Sequence, residues 1–191
     1  MAKLEVESLP RDRQILQAAA ELFFERGFAG TGVDAIGERI GVTGPAIYSH
    51  FKSKDEILAT LCLEGIDRVT EAIGVPGDDP REDLEHIIRC HVREVLRDRR
   101  LANVYVAEAK ALAPTFRRLI RRRLDQLRER WISTLERCWP GCDYGLLMTV
   151  TSAAMGLTNS VILWRDEAFE TPGLEDLLVN MTLASLSVLD S

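Results

Sequence analysis

Aromatic residues, prolines and paired cysteines are all scarce in this chain of 191 residues: aromatics are 6% of it, seven residues are Pro, and Cys62, Cys90, Cys138 and Cys142 are scattered without a CxxC. Long Val/Ile/Thr alternations are absent too, which leaves little to build strands from and makes helices the expected element. The cysteine pattern points to free thiols in a reducing cytoplasm. Cys138 and Cys142 flank Trp139-Pro140-Gly141, where two helix-end packing residues are the favoured reading and a redox switch the alternative. The segment MAKLEVESLP holds no cationic leader followed by an apolar core, and no apolar run reaches the ~18 residues of a membrane span, so neither secretion nor membrane insertion is expected. No HExxH, GxSxG or Gly-rich phosphate loop after a strand occurs, which sets a small helical enzyme behind other readings. His86 and His91, five apart, are expected to be partly exposed helix residues rather than metal ligands. No catalytic residue, metal or cofactor is expected.

What is present supports a folded, helical chain. Hydrophobic residues make up 46% of it, enough for a sizeable core. The formal net charge of −6 argues against promiscuous coating of nucleic acid, while leaving room for a tip with a few local cations and N–H groups. Ile15, Leu16, Ala19, Leu22 and Phe23 recur at helical spacing and predict a first helix over Asp12–Arg26, capped by Asp12 and stopped by Gly27. Thr31 is the expected cap of a second helix carrying Val33, Ile36 and Ile40, which Gly41 ends by supplying a positive φ. Thr43, Gly44 and Pro45 open a short third helix with Ile47 and Phe51 inward and Ala46, Ser49 and His50 outward. Ser53 and Glu56 form a capping box, so a fourth helix, about 53–73, follows and is expected to link two halves. Gly74–Pro80, GVPGDDP, is the clearest break. Helices are then expected near Arg81–Arg97, Leu101–Ala111, Pro114–Cys138, Asp143–Trp164 and Gly173–Leu189.

The stretch Thr31–Lys54, TGVDAIGERIGVTGPAIYSHFKSK, has the layout of a helix-turn-helix. With the preceding ILQAAAELFFERGFAG it resembles the DNA-binding domain of the TetR family of bacterial transcriptional regulators, sometimes called TetR/AcrR. Ala19, Leu22-Phe23, Gly27-Phe28, Thr31, Ile36, Gly41-Val42, Tyr48, His50-Phe51 and Lys54 carry the match over about Arg11–Leu63. The resemblance implies an all-α fold: a three-helix DNA-binding domain at 1–54, then an effector-binding and dimerisation domain at 55–191. It also implies a homodimer on double-stranded operator DNA and a small-molecule effector that releases it. Phosphate contacts carry over to Thr31, Thr43, Tyr48, His50 and Lys54, and base-edge contacts to Gly44, Pro45, Ala46 and Ser49. A cation at a helix N-terminus is unfavourable on its own, which makes a phosphate near Lys54 the expected reason for it. Gly44 departs from a position that is often basic or polar in relatives, and Gly32 from a frequent Ser or Thr. Base readout is therefore expected to lean on shape, apolar contact and water. Lys52 and Arg39 are read equally well as phosphate ligands or as solvated charges.

The C-terminal part is less distinctive. Ser152, Ala153, Ala154 and Gly156 permit close helix approach, and Leu174, Leu177, Leu178, Met181 and Val188 form a stripe; an isologous four-helix seam is expected, with packing into the chain's own core as the alternative. Polar residues among apolar ones suggest an effector pocket: Thr151, Thr158 and Asn159 beside Met148, Met155 and Trp164, with Tyr105, Glu108 and Phe116 from earlier helices. In Phe116–Trp131 the residues Arg117, Arg121 and Arg128 lie close to one helix face, with Arg118 and Arg122 beside it. A solvated face paired with Asp125 and Glu129 is one reading; the other is an anionic effector held at Arg121 and its neighbours. In texture the segment is similar to TetR relatives that answer to acyl-CoA thioesters. A repressor released by an apolar or amphipathic effector, such as an acyl-CoA or related lipid metabolite, is thus expected. The alternatives are a regulator of drug efflux answering a hydrophobic xenobiotic, a small helical enzyme and an architectural DNA protein, the last disfavoured by the acidic balance.

Overall fold

Helical spacing in the sequence becomes an inner face in α1, Arg11–Arg26, where Ile15, Leu16, Ala19, Leu22 and Phe23 are all at most 4% exposed. The structure is a computed structural model that describes residues 9–97, 99–108, 110–164 and 166–190, without the side chains of residues 100, 101, 105, 106, 107 and 166. Among the described residues every regular element is helical. Pro10 precedes α1, so Asp12 is not the cap; it lies in the first turn, where a negative charge still suits the helix dipole. Nor does Thr31 cap α2, Val33–Arg39, which starts from Gly32 with no side-chain bond. The turn into α3, Gly44–Ile47, passes through Gly41 at φ 73°, a left-handed backbone that glycine alone adopts without strain.

The capping box forms. Ser53 Oγ accepts the Glu56 N–H at 3.1 Å, and the Glu56 carboxylate reaches back to the N–H of Lys52. From there α4 runs Lys54–Ile73. The later helices are α5, Pro80–Arg97; α6, Arg99–Glu108; α7, Pro114–Cys138; α8, Tyr144–Asn159; and α9, Leu174–Leu186. Helix α8 is capped by Asp143, whose carboxylate accepts the Leu146 N–H at 3.1 Å. Both α8 and α9 tighten into 3-10 turns, Ser160–Leu163 and Ser187–Asp190, where continuous helix is expected from the sequence.

Contacts divide the chain into two compact units, one of Met1–Glu64 with Arg100–Ile120 and one of Gly65–Arg99 with Arg121–Ser191. In this division residues 100–120 fall with the N-terminal unit. In the first unit Phe23 and Phe28 meet edge to face at 5.2 Å, over a core with Ile36, Ile47, Phe51, Ile57 and Leu58. Two backbone N–H groups there are tied by distant carboxylates: Phe28 donates to Glu108 at 3.3 Å and Ala113 to Asp55 at 2.7 Å.

The second unit is built around Trp131, Ile88, Leu135, Leu178 and Val179, each at most 1% exposed. Arg89 clasps α9 to α5, reaching Asp176 at 2.6 Å, Glu85 at 2.9 Å and Glu175 at 3.1 Å. Arg137 pairs with Asp83 at 2.5 Å, and together with the Gly77 N–H holds that carboxyl below the usual range, which pins the Gly74–Pro80 break to α7. Contrary to the expectation from apolar run length, Tyr144–Leu163 is long and apolar enough to cross a membrane. Its inner face, Leu147, Ala154 and Val161, packs into the core of this unit.

Candidate nucleic-acid interface and effector site

The tip of the first unit is a small platform. Ile47 and Phe51, at 1% and 7% exposure, anchor α3 from below, and this leaves Thr43, Pro45, Ala46, Tyr48, Ser49 and His50 exposed above. Tyr48 is 55% exposed. Ser49 donates to the Ala46 carbonyl at 2.7 Å, so its hydroxyl oxygen faces out as an acceptor. Small side chains around one phenol and two hydroxyls make a surface that fits the ~12 Å major groove and meets base edges by contact more than by bidentate pairing.

Three of the expected contact residues have internal duties instead. The Thr31 hydroxyl is 1% exposed and lies 2.9 Å from the Gly27 carbonyl and 3.1 Å from that of Leu22, so it is not available to phosphate. Gly44 is buried, and a Cβ there would fall 1.8 Å from Asp34 Oδ1 and 3.3 Å from the Asp34 Cα. Close approach of α2 to α3, not readout, accounts for glycine at this position. Lys54 donates to the carbonyls of Phe28 at 2.6 Å and Thr31 at 2.8 Å, with its ammonium 4.3 Å from the Phe28 ring centroid. These carbonyls supply the negative charge that a phosphate was expected to supply. Lys54→Met therefore lowers thermal stability, by about 2 kcal/mol for the lost charged hydrogen bonds, and the melting temperature reads it. An unchanged melting temperature with weakened DNA binding would return Lys54 to the phosphate role.

Charge near the tip is largely paired. Arg39 reaches Glu21 and Glu25, each at 3.1 Å, which raises its pKa and makes it a solvated ion pair. His50 Nδ1 contacts Asp12 Oδ1, a pairing between α1 and the tip that spans 38 residues and has no local sequence signal. Lys52 stays exposed.

The expected effector residues are divided between the two units. Glu108 and Phe116 belong to the first unit, and Glu108 is spent on the Phe28 N–H. The Tyr105 side chain lies outside the described residues. Arg121 is exposed, as are Arg117, Arg118 and Arg122, while Arg128 pairs with Asp125 at 2.7 Å and Glu129 accepts the Tyr144 hydroxyl at 2.9 Å. Met148 is 43% exposed, whereas Met155 and Trp164 pack against the core of the second unit. A cleft of about 240 Å³ in that unit is lined by Arg81, Leu84, Trp139, Leu183 and Asp190, none of them expected. Arg81 lies 4.0 Å over the Trp139 ring, and Asp190 accepts the indole N–H at 2.7 Å, so the polar groups of the cleft already serve each other.

His91 departs furthest from expectation. It is 4% exposed rather than partly open; burial lowers its pKa and a 3.0 Å contact from Nε2 to Asn159 Oδ1 offsets only part of this. Its Nδ1, Trp131 Nε1 and Thr151 Oγ1 are buried polar atoms without a hydrogen-bond partner. Burial pushes the Cys62 thiol up to about 12, and Cys138 donates to the Pro80 carbonyl at 3.1 Å.

Comparison with known proteins places both parts of the chain. Residues 15–61 match the profile of bacterial regulatory proteins of the tetR family, and residues 77–168 match the tetracyclin repressor-like C-terminal domain. The transcriptional repressor KstR2 of Rhodococcus jostii is 30% identical over 131 residues, 66% of this chain and 64% of that protein. The fatty acid metabolism regulator protein of Bacillus subtilis is 32% identical over 105 residues, 53% of this chain and 54% of that one. The chain thus spans less than two thirds of the length of the curated relatives it matches. In three dimensions it is similar to the regulator PfmR of Thermus thermophilus, with a TM-score of 0.77 at 25% identity over 90% of this chain and 96% of the other.

Proposed function

The chain belongs to the TetR family of bacterial regulatory proteins, and from that premise we propose that it is a cytoplasmic, homodimeric repressor that leaves a palindromic operator when a small apolar or amphipathic effector of lipid type binds its C-terminal part. The observation that carries this reading is the exposed platform of Thr43, Pro45, Ala46, Tyr48, Ser49 and His50 over a buried Ile47 and Phe51. A duplex would give the exposed Tyr48 ring and hydroxyl a partner. Thr43, Tyr48, His50 and the exposed Lys52 serve phosphates, while Pro45, Ala46 and Ser49 face base edges.

Dimerisation is supported by α8 and α9. Leu174 and Leu178 turn into the chain's own core, whereas Leu177, Met181 and Val188 are 46%, 45% and 61% exposed on the other side of the same stripe. On α8, Ser152, Ala153 and Gly156 are exposed, and a Cβ on Gly156 would meet nothing within 4 Å. Two such helices from each protomer form a seam around a two-fold axis. The lipid character of the effector draws on the name of the fatty acid metabolism regulator among the relatives. Release is a population shift, limited to the difference in the effector's affinity for the DNA-competent and incompetent states.

Operator selection from the DNA upstream of its own gene tests the reading. We expect a protected palindrome with half-sites about 34–36 Å apart and an affinity that falls steeply with salt. Salt-dependent binding without sequence preference would replace the repressor by an architectural protein. No binding to any duplex would end the proposal.

A further inference from the structure

Two of the buried polar atoms without partners lie on facing rings. His91 on α5 and Trp131 on α7 stand edge to face, with centroids 5.6 Å apart and an interplanar angle of 88°. Exposure is 4% for one and 0% for the other. As Asn159 is oriented, its Oδ1 lies 3.0 Å from His91 Nε2 and accepts from it, an arrangement that puts the proton on Nε2 and leaves Nδ1 a bare acceptor. Trp131 Nε1–H is a bare donor. A buried polar atom left in this state costs about 1–3 kcal/mol, and two at one place call for an occupant that serves both.

Resting on the reading that the C-terminal part takes an effector, we infer that His91 and Trp131 receive a hydroxyl group of that effector, which donates to His91 Nδ1 and accepts from Trp131 Nε1–H. The chemistry selects a class. An alcohol or phenol has both the proton and the lone pair. A ketone or thioester carbonyl accepts from the indole and leaves Nδ1 bare. An ionised carboxylate has no proton to give to Nδ1, and burying its charge carries a large desolvation cost. The effector is thus a neutral, mostly apolar molecule with a hydroxyl at its buried end. Since both rings are shut off in this state, the molecule enters by parting α5 and α7, and its binding favours whichever state of the unit holds them apart.

Three monosubstituted benzenes test the pair: phenol, its isostere toluene and the methyl ether anisole, added to the full chain. The readouts are melting temperature and the indole N–H resonance of Trp131, assigned through Trp139→Phe and Trp164→Phe, which leave one of the three tryptophans. Apolar burial alone ranks toluene first, because a phenol hydroxyl is costly to desolvate. We expect the reverse: phenol shifts the Trp131 resonance and raises the melting temperature most, anisole less, toluene least. In His91→Phe and Trp131→Phe the advantage of phenol over toluene disappears. Toluene equal to phenol, a Trp131 resonance that phenol leaves in place, or a phenol advantage that survives both substitutions overturns the inference. If either variant fails to fold, the probe ranking on the wild-type resonance decides. Operator binding is followed on the same preparation: its presence with no phenol effect retires the hydroxyl site alone, whereas its absence retires the repressor.

Discussion

Ala46→Glu weakens operator binding at least tens-fold and leaves the melting temperature where it was. Ala46 is exposed at the tip, above Ile47 and clear of the core, so a longer side chain there has room in the free protein. On DNA the same side chain places a carboxylate against base edges whose contact depends on small groups, within reach of the phosphate charge. A mismatched contact in a half-site costs ~1–3 kcal/mol, and a symmetric dimer makes the error twice, so affinity falls roughly 30-fold to 10⁴-fold. Ala46→Ser, which adds little volume and no charge, keeps most of the binding. Titration of the selected operator with both variants reads the difference. An Ala46→Glu protein that still binds like wild type would move the reading surface away from α3, and with it every contact assigned to Pro45 and Ser49.

The contrast between Ala46 and Gly44 shows which features were legible in the sequence. Features set by neighbours a few residues apart could be read directly: the Ser53–Glu56 capping box, the Gly41 turn at φ 73°, the i, i+4 pair Ile47 and Phe51, and α7 from Pro114 to Cys138 with both ends as expected. Each depends on local propensity or helical period. Features set across the fold could not. Gly44 answers to Asp34, Lys54 to the carbonyls of Phe28 and Thr31, Glu108 to the N–H of Phe28, and His50 to Asp12. The family pattern assigns Thr31 and Lys54 to phosphate, whereas their geometry gives them structural duties. His91 misled for a related cause: an imidazole within PREDLEHIIRCHVREVLR looks half-exposed until its place on the buried side beside Ile87 and Ile88 is known.

Leu177→Arg turns the protein into a monomer in sedimentation and, with it, lowers operator affinity roughly 10²–10⁴-fold. The size follows from tethering: once one half-site is filled, a dimer presents its second reader at a high effective concentration, and that gain is what a monomer forfeits. The substitution is chosen for its position. Leu177 is 46% exposed, while Leu174 and Leu178 on the same helix are 9% and 1% exposed, so arginine at 177 projects from the unit without opening its core. Stability of the folded protomer at high dilution is the control that separates lost association from lost folding. At the proposed seam the guanidinium would meet its symmetry mate across a two-fold axis, where like charges and the desolvation of both oppose association. Should Leu177→Arg remain a dimer of full affinity, the stripe is no interface, and the exposed apolar side chains of α8 and α9 require a different occupant.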